Sequence, residues 1–153
     1  QVAADYIGAS FVRSALAGAG LYLLCSWWAS PPMREPGLLI AFGFFGAAIM
    51  AALGLITALW AEKYDQMGAV MNFVIMPLTF LSGVFYSVDS LPPFWQAASR
   101  LNPFYYLVDG FRQGFFGSGD TNTTLSLLIV AATALAVTAA AVVLLVKGWK
   151  IRT

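Results

Sequence analysis

The sequence between Asp120 and Lys147 reads TNTTLSLLIVAATALAVTAAAVVLLV, positions 121–146, and contains no charged residue. A helix needs about 20 apolar residues to cross about 30 Å of hydrocarbon, so this stretch is long enough to span a bilayer. An open sheet would leave edge N–H and C=O groups unpaired in lipid, and the alternating pattern of a barrel strand is missing. The stretch therefore predicts a transmembrane helix.

Three further gaps between charged residues have a comparable length, at positions 14–33, 36–61 and 66–88. The first gap is shortened by two prolines, so its helix is expected to begin near Gly8, with the Arg13 side chain reaching the interface. The pattern predicts an all-α membrane protein with four transmembrane helices. We place these spans at about residues 8–29, 37–61, 66–87 and 121–146.

The composition supports a membrane protein and restricts its chemistry. The 153-residue chain is 60% hydrophobic and 10% charged, against about 45–50% and 25% in an average soluble domain. Its net charge of +1 gives no basic surface for nucleic acid. With no histidine and only Cys25, the chain cannot build a Cys/His zinc site or a histidine-assisted nucleophile. We expect no metal site and no catalytic residue.

The composition does not fit either of two enzyme classes, a P-loop ATPase or an intramembrane hydrolase or transferase. No G-x-x-x-x-G-K-[ST] motif occurs, so a P-loop for ATP would have to come from another polypeptide. An intramembrane hydrolase or transferase would need carboxylates, or a nucleophile and a base, inside the spans. Apart from Arg13 at one margin, the four predicted spans contain no Asp, Glu, His, Lys or Arg. The sequence therefore does not favour an enzyme.

The distribution of basic residues predicts the orientation, because lysines and arginines collect on the cytoplasmic side of membrane proteins. One side of the predicted bundle carries five of them and the other side three. The five are Arg13, Lys63, Lys147, Lys150 and Arg152, and the three are Arg34, Arg100 and Arg112. We expect both chain ends to face the cytoplasm.

Small residues and one proline suggest how the spans pack. Small residues recur at four-residue spacing, which lets helices approach closely, either within one subunit or at a dimer face. They are Ser14 and Gly18, then Gly43, Ala47 and Ala51, and finally Ala132, Ala136 and Ala140. Pro77 lies inside the third span, where it removes a backbone hydrogen bond and is expected to kink the helix.

The segment between the third and fourth spans is too aromatic for a solvated loop. Residues 85–116 hold ten of the 12 Phe, 6 Tyr and 5 Trp of the chain. Ser90 precedes two prolines and Asn102 precedes Pro103, and a capping side chain followed by proline is typical of a helix start. We predict two short helices forming a hairpin over about 91–116, interfacial or re-entrant. The aromatic residues form either an interfacial belt or a platform for sugar or lipid substrates.

The second helix of this hairpin is predicted to be amphipathic. Its apolar face carries Phe104, Leu107, Val108, Phe111 and Phe115. Asp109 and Arg112 lie on the less apolar side, three residues apart, so they can form an ion pair. Two roles are open for this pair, a local anchor of the hairpin or direct contact with a substrate.

The residues from Pro77 onward resemble a known family. They read PLTFLSGVFY at 77–86, then Leu91-Pro92, then NPFYY at 102–106, with Arg112 six positions beyond Tyr106. Order and spacing resemble the signature region of ABC-2 type transporter permeases, and the hydropathy is similar to the last four spans of that family. The hairpin residues of this resemblance are Pro103, Tyr106, Asp109 and Arg112.

The resemblance implies a transmembrane permease subunit of a bacterial ABC exporter, in the class that exports polysaccharides, lipo-oligosaccharides or drugs. Such a subunit lies in the inner membrane, works as a homodimer and pairs with a separate ABC ATPase. That ATPase would bind ATP and Mg²⁺, so the chain itself needs no cofactor. Family members usually have six spans, so this chain is similar to the C-terminal portion of a permease.

One short loop is the candidate for coupling to the ATPase. It consists of Glu62, Lys63, Tyr64 and Asp65, between the second and third spans. This tetrapeptide is either a solvated turn or a docking site. A further alternative for the whole chain is a membrane anchor or assembly subunit without transport activity of its own.

Overall fold

The computed structural model describes residues 2–29 and 31–147, except for the side chains of 2–4, 6, 7 and 29. The basic residues Lys150 and Arg152 of the orientation argument lie outside the described residues. The described part contains helices and no strand, which confirms the predicted all-α class. The helices are α1 (Val2–Ala29), α2 (Pro36–Trp60), α3 (Tyr64–Val70), a π-helical segment (Met71–Ile75), α4 (Met76–Phe80), a 3-10 turn (Val88–Ser90), α5 (Pro93–Leu101), α6 (Pro103–Phe116) and α7 (Thr123–Val146).

Within the described residues, three helices are long and apolar enough to cross a membrane. They are Gly8–Trp28 within α1, Pro36–Trp60 and Thr123–Val146, in good agreement with the first, second and fourth predicted spans. Proline at the start of α2 costs no hydrogen bond, because the first N–H groups of a helix have no partner within it. The N-cap Asn122 of α7 accepts a 2.9 Å hydrogen bond from the Thr124 N–H.

The third predicted span differs from its prediction. α3, the π-helical segment and α4 follow one another without a break from Tyr64 to Phe80, and we call this run the 64–80 helix. It ends at Phe80 rather than near residue 87, because the chain turns at Ser82 and Gly83, where Gly83 has a φ of 79°. At 1.5 Å per residue the run is about 25 Å long. That the third predicted span crosses the membrane therefore stays a prediction.

The regular α pattern of the 64–80 helix is interrupted just before Pro77, where the sequence predicts a kink. Pro77 lies in the first turn of α4, directly after the π-helical segment. Proline has no N–H and its ring collides with the carbonyl four residues earlier, so the preceding turn widens.

The core lies between α2, α6 and α7. Its main cluster contains Phe42, Ile49, Phe104, Val130 and Ala134. A second cluster, Ala52, Leu55 and Ala141, joins α2 and α7 farther along α2. α1 packs against α2 on one side, where the rings of Phe11 and Phe44 stack at 4.6 Å between centroids.

The small-residue stripes are used unequally. On α2, Ala51 is buried, but Ser14 and Gly18 on α1 are exposed. On α7 the predicted stripe Ala132, Ala136 and Ala140 is also exposed, and the buried positions are Ser126, Val130, Ala134 and Ala141. The α7 stripe thus points away from the core of this chain.

Candidate functional site

The best-defined polar structure lies where α6 meets the first half of α2 and the loop before α7. α6 runs antiparallel to α2, since Gly114 faces Leu39, Gly110 faces Phe42 and Leu107 faces Gly46. A Cβ added at Gly110 would overlap the buried Phe42 ring, and one at Gly114 would lie 2.5 Å from the Leu39 side chain. The Glu35 N–H also donates to the Gly114 carbonyl at 3.0 Å. Two glycines one turn apart therefore bring the helices together.

The hairpin contains the two predicted short helices, α5 and α6, but only the second has the predicted cap. The Asn102 side-chain oxygen accepts a 3.0 Å hydrogen bond from the Phe104 N–H, as expected for an N-cap. Ser90 instead belongs to the 3-10 turn, and its hydroxyl donates to the Ser87 carbonyl at 2.6 Å. The N-cap of α5 is Pro92, which has no side-chain cap bond. The depth of this hairpin in the membrane stays a prediction.

At the corner between α5 and α6, polar side chains donate hydrogen bonds to backbone carbonyls. Pro103 is the first residue of α6, and the Tyr106 hydroxyl donates to the Arg100 carbonyl at 2.9 Å. The Asn102 side-chain amide donates to the Leu78 carbonyl at 2.6 Å. The second of these bonds links the hairpin to α4.

Asp109 is the most enclosed charged residue of the site, with 1% of its surface exposed. One carboxylate oxygen accepts from the Asp120 N–H at 2.7 Å. The other accepts from the Thr121 N–H at 3.1 Å, from the Thr121 hydroxyl, and from the Gln113 amide at 2.8 Å. All four partners are donors, which is the arrangement that an ionised carboxylate requires when it is buried. Its burial leaves Asp109 no surface for a transported molecule in this conformation.

Gln113 extends this network to the start of α7. Its amide nitrogen also donates to the Thr121 carbonyl at 2.7 Å, and its oxygen accepts from the Thr123 hydroxyl at 2.5 Å. The Thr121 and Ser126 hydroxyl oxygens lie 2.6 Å apart. These side-chain hydrogen bonds fix the loop from 117 to 122 on α6.

Arg112 does not pair with Asp109, so this detail of the sequence interpretation is wrong. Its guanidinium forms a 2.8 Å ion pair with Asp120, in which both side chains are 35% exposed. A second nitrogen donates to the Gly83 carbonyl at 3.2 Å. The physical reason is that loop 117–122 folds back over α6 and supplies backbone donors to Asp109, while Asp120 is left for the arginine.

Burial raises the pKa of the Tyr105 phenol, and the carboxylates of Asp120, Asp109 and Asp89 raise it further. A higher pKa keeps this hydroxyl protonated and neutral at physiological pH. Among the described residues, His, Cys, Asp and Glu form no group of three or more that could hold a metal ion.

The predicted coupling loop lies at the other end of α2. Ala61 to Lys63 form a short turn, and Tyr64 and Asp65 begin α3. All four predicted residues are exposed, and Tyr64 is 91% exposed. The Glu62 N–H donates to the Gln66 side-chain oxygen at 2.7 Å, which holds the turn. The structure thus places the coupling candidates beyond the end of α2, whereas α6 packs along the first half of α2, with Gly114 facing Leu39 and Leu107 facing Gly46.

The aromatic residues of the hairpin divide between core and surface. Phe104 and Tyr105 are buried. Exposed aromatic side chains occur at Phe85, Phe94, Trp95 and Phe116. The exposed group is compatible with either predicted role, a belt at the membrane interface or a platform for a substrate.

Fold and site together define an integral membrane protein in which two short helices, α5 and α6, precede the last long helix, and α6 packs against the core. The chain belongs to the ABC-2 type transporter family, whose model matches residues 2–116. Its membrane-spanning helices and its family agree with a multi-pass protein of the inner membrane.

Curated relatives agree with this family. The chain is 37% identical to the "Inner membrane transport permease YadH" of Escherichia coli (strain K12), over 84% of this chain and 51% of the relative. It is 32% identical to "Nodulation protein J" of Rhizobium leguminosarum bv. trifolii, over 69% of this chain and 40% of the relative. It is 29% identical to the "Capsule polysaccharide export inner-membrane protein BexB" of Haemophilus influenzae, over 81% and 44%. The chain thus spans about half the length of these relatives, and no solved structure matches it significantly.

Two parts of the site were missed in the sequence analysis. Gly110 and Gly114 stand four residues apart, the same spacing that drew attention to the stripes on the spans, and this signal could have located the α2 contact. Gln113 follows Asp109 by four residues, a spacing at which side chains on a helix can bond, whereas Thr121 carries no comparable signal because it lies 12 residues from Asp109.

Proposed function

We propose that the protein containing this chain is the permease subunit of an ATP-driven exporter. In this proposal a separate ABC ATPase binds ATP with Mg²⁺ and hydrolyses it, and the permease works as a homodimer. The single observation that carries the proposal is the match to the ABC-2 type transporter family over residues 2–116. The conformational cycle would alternately expose a path through the dimer.

The proposed orientation places both chain ends and the 62–65 loop in the cytoplasm. The loop is suited to contact with an ATPase, since it connects α2 to the 64–80 helix and presents Tyr64 to solvent. A force applied there would reach two helices at once. Pro103, Tyr106, Asp109 and Arg112 belong to α6, which packs along the half of α2 farther from this loop. We propose that they maintain the extracytoplasmic part of the path rather than contact nucleotide.

The substrate class rests on the relatives alone. A printed name that includes capsule polysaccharide export favours a polysaccharide or a lipid-linked saccharide as the exported molecule. Exposed Phe94 and Trp95 on α5 offer the flat apolar surfaces on which sugar rings stack.

The test is co-expression of the full-length protein with the ABC ATPase encoded beside it, followed by purification in nanodiscs. We expect the two chains to purify together and to hydrolyse ATP, and the permease alone to show no hydrolysis. Tyr64→Ala should lower co-purification and the ATPase rate without changing thermal unfolding, because the side chain is almost fully exposed. Trp28→Ala is the matched control, since Trp28 is also 91% exposed but lies at the other end of the bundle.

Three outcomes would contradict the proposal. ATP hydrolysis by the permease alone, after contaminating ATPases are removed, would remove the need for a partner. Failure of any ATPase to bind would favour the membrane anchor or assembly subunit. Equal loss of binding in the Tyr64 and Trp28 variants would show that the 62–65 loop has no particular role.

A further inference from the structure

The 64–80 helix is the least covered helix of the region that follows α2. None of its residues in α3, the π-helical segment or α4 is buried. Phe73 at its centre is 82% exposed. At its loop end it continues from α2, and at its outer end, near Phe80, it lies against α6.

Asn102 makes the first of these attachments with both ends of one amide. Its oxygen caps α6 by accepting from the Phe104 N–H, and its nitrogen donates to the Leu78 carbonyl. The Leu78 carbonyl lacks its usual helical donor because the Ser82 N–H turns to the Thr79 carbonyl instead. Asn102 is 3% exposed, so water does not compete for this bond. One buried side chain thus begins α6 and completes the end of α4.

Arg112 makes the second attachment, one that is more exposed. Its guanidinium donates to the Gly83 carbonyl in the turn that follows α4, while its other branch pairs with Asp120. Ser82 in the same turn is 1% exposed. The turn after α4 is therefore held against α6 by a side chain of α6.

α6 itself is fixed on the core. Gly110 lies against the Phe42 ring, and Asp109 binds the loop before α7. The outer end of the 64–80 helix is accordingly attached to the packed unit of α2, α6 and α7. Its other end carries the exposed 62–65 loop. The π-helical segment lies between the two ends, where the altered backbone bonding makes bending less costly.

We propose that Asn102 is a positioning residue that anchors the outer end of the 64–80 helix on α6, so that the helix tilts about this end when its loop end moves. The source of that movement, an ATPase acting on the 62–65 loop, rests on the proposed function; the anchor itself does not. Without the anchor, displacement of the loop end would slide or rotate the whole helix and the turn after it.

The sharpest variant is Asn102→Asp. The ionised carboxylate still accepts from the Phe104 N–H, so the α6 cap remains, but it has no donor for the Leu78 carbonyl and repels it. A protonated carboxyl would keep a donor, so the conclusion requires the same result from an uncharged variant. Asn102→Ser is a second variant that keeps a good cap and is too short to reach Leu78. The matched control is Asn122→Asp, because Asn122 caps α7 in the same way, is exposed, and uses its oxygen for the Thr124 N–H.

Distances between paired nitroxide labels, measured by pulsed electron paramagnetic resonance, report the anchor. The full-length protein is used, in nanodiscs, with Cys25 and any other native cysteine replaced. An outer pair joins Met76, on α4 itself, to Leu128, and an inner pair joins Ala69 to Val143, at positions that are all exposed. We expect a narrow outer distribution in the unsubstituted protein and in Asn122→Asp. Asn102→Asp and Asn102→Ser should broaden it, with thermal unfolding of the α2, α6 and α7 unit preserved.

The complex with the ATPase then tests the tilt. Vanadate-trapped nucleotide should shift the inner distance and leave the outer distance unchanged in the unsubstituted protein, whereas in Asn102→Asp both should shift. An outer distribution that stays narrow in both Asn102 variants would overturn the anchor whether or not the protein is an exporter. Outer and inner shifts of equal size in the unsubstituted complex would overturn the tilt. Absence of a partner ATPase would contradict the proposed function and leave the label result on the anchor intact.

Discussion

Arg112 pairs with Asp120 at 2.8 Å, although Asp109 lies only three residues from Arg112 on the same helix. Asp109 faces inward, where it accepts four hydrogen bonds, and Arg112 lies at the surface, where it joins the loop before α7 to the turn after α4. The two charges of α6 therefore have different tasks. Asp109 binds the backbone of the loop from the buried side, and Arg112 pairs with Asp120 of the loop at the surface.

Arg112→Ala is expected to remove the contacts with Asp120 and Gly83 without unfolding the protein. The pair is about one-third exposed, so solvent screening limits its contribution to about 1 kcal/mol or less. If the protein is an exporter as proposed, Arg112→Ala should impair export. Arg112→Lys should retain part of it, since the charge remains but a single ammonium does not replace the planar fork that reaches both Asp120 and Gly83.

A double-mutant cycle with Asp120→Ala checks this pairing through thermal unfolding and export by the full-length protein. The effects of Arg112→Ala and Asp120→Ala should be less than additive, because each removes the same ion pair. Strict additivity would show that the pair contributes nothing. Full export by Arg112→Ala at normal protein level would show that the arginine is incidental.

Asp109→Asn should destabilise the protein more than any change at Arg112. The asparagine amide would place its own N–H groups against at least one of the four donors that now surround the carboxylate. Hydrogen bonds to charged groups contribute about 1.5–3 kcal/mol, so we expect a loss in the free energy of unfolding of that order. Thermal unfolding in detergent measures it, with the exposed Asp89→Asn as control. Equal unfolding temperatures for the two variants would contradict the described network.

Gly110→Ala should disturb the contact between α2 and α6. The new methyl group would overlap the ring of Phe42, which is fully buried and has no room to move, at a cost of about 1–3 kcal/mol. Gly68→Ala is the matched control in α3, because nothing lies within 4 Å of its added Cβ. Removing that glycine should leave stability unchanged or raise it by up to about 1 kcal/mol. A Gly110 variant as stable as the Gly68 variant would refute the close packing.

The predicted topology can be tested with single cysteines in a protein without Cys25. Ser118 and Lys147 are exposed at opposite ends of α7, and Arg100 is an exposed position in the hairpin. Ser99 is unsuitable for this purpose, since it is fully buried. A membrane-impermeant thiol reagent should label cysteines at positions 118 and 100 from outside and the one at 147 from inside. Labelling of position 100 from the cytoplasm would contradict an extracytoplasmic hairpin.

The sequence by itself determined the all-α membrane class, three of the helices and the short pieces of the hairpin. These features depend on local physics: uncharged length sets a span, and Asn102 before Pro103 starts a helix wherever the rest of the chain lies. The family was also visible, because its motifs are short and ordered along the chain. The cap at Ser90 failed for a local reason as well, since the 3-10 turn engages that hydroxyl before α5 begins.

Only the tertiary structure decided which groups meet. Asp109 could pair with Arg112 by spacing, but the folded loop offers it two N–H groups and a hydroxyl that a helix neighbour cannot match. The end of the 64–80 helix at Phe80 depends likewise on the turn at Gly83 and on Asn102, a residue 24 positions beyond Leu78 in the chain. Hydropathy indicates which segments are apolar and long enough to span lipid. The partner of each polar group depends instead on contacts between segments that are far apart in sequence.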